Sequence, residues 1–130
     1  MNNARILIVD DDADITEAMR IVLESRGYVI DAAIDSKDAT KCINSQKPDL
    51  IILDVIMNNQ SEGFDFSRVL KKNPKYRDIP ILMVTAIKKM TGIDFKPEAG
   101  DDLWLPVDEF LDKPVRPEQL IEKVESLLKT

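Results

Sequence analysis

The sequence predicts an α/β fold: a parallel sheet with helices packed on both faces. Three observations predict it. Continuous aliphatic runs at Ile6-Leu7-Ile8-Val9, Leu50-Ile51-Ile52-Leu53 and Ile79 through Val84, the last interrupted by Pro80, are apolar at every position. Such runs read as strands buried on both sides. Between them lie segments with helical spacing, and the alternation favours a parallel sheet joined by right-handed crossovers. Polar residues able to do chemistry stand directly after the runs.

In order, the first run gives a strand that ends in Asp10-Asp11-Asp12. Ile15, Met19, Val22 and Leu23 then recur at helical spacing. Tyr28 to Ala33 mixes Asp31 with apolar residues, as an edge strand does. Ala39, Cys42 and Ile43 mark a second helix, with Cys42 facing the core. The second run ends in Asp54. Phe66, Val69 and Leu70 mark a third helix, and Lys71-Lys72 read as part of a solvated face, as do Glu122-Lys123. The third run ends in Thr85. Met90 to Asp108 carries Gly92, Pro97, Gly100 and Pro106 where another full helix is expected; interior glycine and proline oppose helix. An irregular loop with at most a turn or two of helix is expected there, anchored by Phe95 and Trp104, as a divergent surface, a partner surface or a poorly ordered excursion. Glu109 to Asp112 gives a short fifth strand, followed by Lys113-Pro114. Leu120, Val124, Leu127 and Leu128 form the last helix, with Pro117 and Glu118 suited to its first turn. No internal repeat, linker or low-complexity tract interrupts the chain.

Composition narrows the chemistry. One domain is expected from 130 residues that are 44% hydrophobic. A net charge of −6 disfavours nucleic acid and anionic membranes as partners of this domain. One cysteine excludes an intramolecular disulfide and suits a reducing compartment. No run approaches the roughly 18 apolar residues of a membrane span, and the start carries no signal-peptide pattern. A cytoplasmic location is therefore expected. Histidine is absent, which removes Ser-His-Asp and Cys-His mechanisms from within the chain.

In a doubly wound sheet, ligands sit beyond the carboxyl ends of the strands. Neighbouring strands one, three, four and five would bring Asp10, Asp11, Asp54, Thr85 and Lys113 to one edge. Clustered carboxylates repel each other by several kcal/mol unless a cation intervenes. Oxygen ligands select hard ions, and Mg2+ combines one or two carboxylates with phosphate oxygens. Taken singly, Asp10-Asp11-Asp12 and Asp54 also fit helix caps. Their joint placement at successive strand ends is the informative feature.

The pieces ILIVDDD at 6–12, LIILDVIM at 50–57, PILMVTA at 80–86 and FLDKPV at 110–115 together resemble the response regulator receiver family of two-component signalling, across essentially the whole chain. The resemblance implies one receiver domain over residues 1–130. It implies a flavodoxin-like, doubly wound, five-stranded parallel sheet of order 2-1-3-4-5. Here the fourth helix is shortened or replaced by the irregular loop. By the same resemblance, Asp54 accepts a phosphoryl group from a histidine kinase or histidine phosphotransfer protein. Mg2+ is the cofactor, held by Asp10, Asp11, Asp54 and the backbone carbonyl of Ile56, with Asp11 the more direct of the acidic pair. Thr85 is the hydroxyl that turns toward the phosphoryl group, Lys113 pairs with a phosphoryl oxygen, and Phe110 is the switch aromatic. The implied protein is a phosphorylatable switch rather than an enzyme acting on external substrates. It would act on a partner or effector domain, and no effector domain is read within these residues. The sequence departs from the family pattern at Asn58, in place of a proline, and at Asn59-Gln60-Ser61-Glu62-Gly63, which is one residue longer. Ile56 and Ile87 would flank the phosphoryl group and hinder water.

Three alternatives stand beside this reading. One is a receiver-like binding module that is never phosphorylated. Another is a Mg2+-dependent phosphohydrolase, which ordinarily needs a carboxylate where Ile56 stands. The third is a flavin carrier, whose phosphate Asp10-Asp11-Asp12 would repel.

Overall fold

The computed structural model describes residues 4–54, 62–85, 109–112 and 115–128. The chain order is β1 (Arg5–Val9), α1 (Ala13–Glu24), β2 (Val29–Ala33), α2 (Ser36–Ser45), β3 (Leu50–Leu53), α3 (Glu62–Lys72), β4 (Ile81–Thr85), β5 (Glu109–Asp112) and α4 (Pro117–Leu128). The strands form one parallel sheet in the order β2-β1-β3-β4-β5. The doubly wound α/β architecture expected from the sequence is present. The expected loop at 90–108, with Phe95 and Trp104, lies outside the described residues.

The continuous apolar runs are explained by the two layers. Side chains alternate across a strand. Leu7, Val9, Ile51, Leu53, Ile81 and Met83 face one side and pack with Ala39, Ile43, Phe66 and Leu70 of α2 and α3. Ile6, Ile8, Leu50, Ile52, Leu82 and Val84 face the other side and pack with Met19, Leu23, Leu120 and Val124 of α1 and α4. With both faces covered, neither register position tolerates a polar residue. Cys42 is half-buried and packs against the first of these layers.

Helix ends are set locally. Asp12 caps α1 by accepting from the amides of Asp14 and Ile15, at 3.0 and 3.2 Å. Asp35 caps α2 by accepting from the Asp38 amide at 2.8 Å. Beyond α1 the chain reverses at Gly27, whose φ of 90° suits glycine alone among common residues at low cost. There the amides of Gly27 and Tyr28 donate to the carbonyls of Glu24 and Leu23, as in a Schellman closure.

One member of the α3 stripe faces outward, and one surface expectation is corrected. Val69 is 62% exposed, although it shares helical spacing with Phe66 and Leu70. The buried arc of α3 runs through Phe66, Ser67 and Leu70, and Val69 lies about 100° from its centre at 3.6 residues per turn. Lys71 is not merely solvated. Its Nζ donates to the backbone carbonyls of Arg77 and Ile79 at 3.3 and 3.2 Å, which ties the α3–β4 connection to the helix. Lys72 is exposed, as expected.

A carboxylate cluster at the carboxyl end of the sheet

Register sets the site. Val9 of β1 lies beside Leu53 of β3, and Leu53 lies beside Met83 of β4. Asp10 and Asp54 therefore leave adjacent strands at the same level. The Asp54 amide donates to the Val9 carbonyl at 2.9 Å, and the Asp10 amide donates to the Ala33 carbonyl at 3.0 Å. These bonds extend the ladder one step past the strands and fix both aspartates.

The three residues of the acidic run have separate tasks. Asp10 is 2% exposed, and one of its carboxylate oxygens accepts from the Asp12 amide at 2.9 Å. Asp11 is exposed. Asp12 caps α1 and points its side chain at that helix instead of the cluster. Within the acidic run, the capping alternative thus holds for Asp12.

Asp10, Asp11 and Asp54 each offer a carboxylate oxygen, and these oxygens lie within 4.8 Å of one another. Asp54 is 6% exposed. At 4.8 Å two full charges repel by roughly 3–4 kcal/mol for an effective dielectric near 20. Two buried carboxylates and one exposed carboxylate make an all-oxygen donor set open to solvent on one side. That chemistry fits a hard divalent cation that keeps some of its water, as Mg2+ does, and does not fit a closed nitrogen and sulfur site.

Thr85 ends β4 in register with Asp112 of β5, one residue beyond the level of Asp54. Phe110 pairs with Met83 on β5. Both are placed here by backbone position. Ile56, Ile87 and Lys113 lie outside the described residues. Cys42 takes no part: burial, and then Asp38 and Asp31, push its thiol pKa up, so it stays protonated near neutral pH.

A family model described as the response regulator receiver domain matches residues 6–125. The response regulator MprA of Mycolicibacterium vanbaalenii is 35% identical over 129 residues, which cover 96% of this chain and 50% of that protein. The phosphate regulon transcriptional regulatory protein PhoB of Pseudomonas aeruginosa is 35% identical over 128 residues, covering 95% and 51%. The chain spans about half the length of the curated relatives it matches. Among solved structures, the chemotaxis response regulator CheY4 of Vibrio cholerae superposes with a TM-score of 0.80 at 28% identity, covering 96% of this chain and 98% of that one. The signal receiver domain of a histidine kinase from Syntrophus aciditrophicus does so with a TM-score of 0.79 at 29% identity, covering 97% and 90%. No described helix is long and apolar enough to cross a membrane.

Proposed function

Because the chain belongs to the response regulator receiver domain family, we propose that it is a phosphoacceptor switch in which Asp54 takes a phosphoryl group from a histidine kinase or histidine phosphotransfer protein. The observation that carries this reading is the convergence of Asp10, Asp11 and Asp54, with carboxylate oxygens within 4.8 Å, at the ends of two adjacent strands. Repulsion of that size is retained where a cation and a phosphoryl group use it.

In this reading a carboxylate oxygen of Asp54 attacks phosphorus in line. The new P–O bond forms as the P–N bond to the donor's imidazole breaks, and the imidazole leaves with the electron pair. The chain contains no histidine, so the donor supplies it. Transfer of this kind depends on positioning and charge neutralisation more than on covalent activation. Asp10, Asp11, Asp54 and the Ile56 carbonyl would hold Mg2+, which when bound offsets charge on the phosphoryl oxygens. The ammonium of Lys113 pairs with one of those oxygens. The Thr85 hydroxyl donates to another, and Phe110 moves inward as Thr85 does. The two positions belong to neighbouring strands, which supports coupled movement. Ile56 and Ile87 limit access of water to the acyl phosphate. Output then passes to a partner or effector domain, and the receiver makes no direct nucleic-acid contact. This is signalling in a cytoplasmic setting, with turnover limited to the protein's own phosphorylation and slow dephosphorylation.

Intact mass after incubation with acetyl phosphate tests the proposal. The expected result is one added phosphoryl group in Mg2+, none in chelator, and none in Asp54→Ala under either condition. An unmodified wild-type protein in Mg2+, or equal modification of Asp54→Ala, would refute it.

A further inference from the structure

We propose that the opposite end of the molecule carries a docking surface for an acidic protein segment with an aliphatic anchor, built from the end of α3 and the α3–β4 connection. The chain carries a net charge of −6, yet residues 71–77 read KKNPKYR and hold four cations with no carboxylate. Asp78 follows as the first acidic residue. Lys72, Lys75 and Arg77 are exposed, and so is Lys47 in the connection from α2 to β3. Both connections lead into the amino ends of strands in a parallel sheet, so they share one end of the fold, away from Asp10 and Asp54.

The segment that displays these charges is held in one shape. The amides of Tyr76 and Arg77 donate to the Asn73 carbonyl at 2.9 and 2.8 Å, and the Ile79 amide donates to the Tyr76 carbonyl at 3.0 Å. The Lys75 amide donates to the Asn73 side chain at 2.9 Å. Tyr76 is buried and its hydroxyl donates to Asn44 of α2 at 2.7 Å, which clamps the connection to the neighbouring helix. Lys71 holds the connection from the other side. A surface fixed before binding loses less entropy when a partner arrives.

Val69 decides the class of partner. It is 62% exposed and lies one turn before Lys72 on α3. An aliphatic spot beside cations matches an acidic peptide that carries its own aliphatic side chain. A phosphate backbone has nothing to place there. The one aromatic of the connection, Tyr76, is buried and cannot stack on a base.

The test uses the full chain and a labelled peptide of Asp and Glu with two leucines one helical turn apart. Its controls are the same peptide with serine for leucine, and a labelled DNA duplex. The expected result is salt-sensitive binding of the leucine peptide, with amide shifts confined to 69–78 and the neighbouring turn at 44–47. Lys72→Glu with Arg77→Glu should weaken binding about tenfold or more. Val69→Ser and the serine peptide should each weaken it about threefold. Both charge reversals are at exposed positions, and an unchanged circular dichroism spectrum verifies the fold. Absence of binding, indifference to the charge reversal, equal binding of the serine peptide, or tighter binding of the duplex would each overturn the proposal.

Discussion

The two ends of the sheet handle charge in opposite ways. At the carboxyl end, Asp10, Asp11 and Asp54 bring like charges within 4.8 Å, two of them buried. Around Arg5, near the amino ends of β1 and β3, opposite charges meet. Arg5 of β1 pairs with Asp31 of β2 at 2.7 Å, and the Arg5 amide donates to the Asp49 carboxylate at 2.8 Å. The carboxyl end concentrates like charge, whereas the Arg5 cluster pairs opposite charge. Like charge brought this close is the arrangement that a bound cation would relieve, which is the premise of the proposed site.

Substitutions can break that contrast. The largest effect is expected in the shared interior on which both ends depend. Ile52→Ala removes a side chain that is 1% exposed in the central strand and should cost about 2–5 kcal/mol by urea unfolding, at either end alike. Asp10→Asn should act with the opposite sign. It keeps the acceptor for the Asp12 amide and removes one buried charge, so in chelator the protein should gain about 1–3 kcal/mol. The same substitution should abolish the stabilising effect of added Mg2+. Asp31→Ala should change stability least, by about 0.5 kcal/mol, since its ion pair is partly exposed and salt-screened. If Asp10→Asn destabilised as much as Ile52→Ala, the carboxylate end would be a structural network and the contrast would fail.

Which parts were legible from sequence follows from the range of the forces involved. β1, β3 and β4 were legible because burial on both faces leaves an apolar residue at every position. Asp10 and Asp54 were legible because each directly follows such a run. The division of labour among Asp10, Asp11 and Asp12 was not, since a cap and a ligand look alike until the helix start is fixed. The exposure of Val69 was not legible because helical spacing gives a stripe without its centre, and the centre is set by which neighbour the helix meets. The roles of Lys71 and Tyr76 depend on partners 6 to 32 residues away and carry no local signal.

The central claim is that strand ends assemble Asp10, Asp11 and Asp54 into a cation site that serves phosphoryl acceptance. A Mg2+ titration followed by amide NMR, on wild type and on Asp11→Ala, tests it most directly. Saturable shifts centred on residues 10–12 and 54, lost in Asp11→Ala, are the predicted result. Shifts spread over the acidic surface, growing with ionic strength and unchanged in the variant, would contradict it.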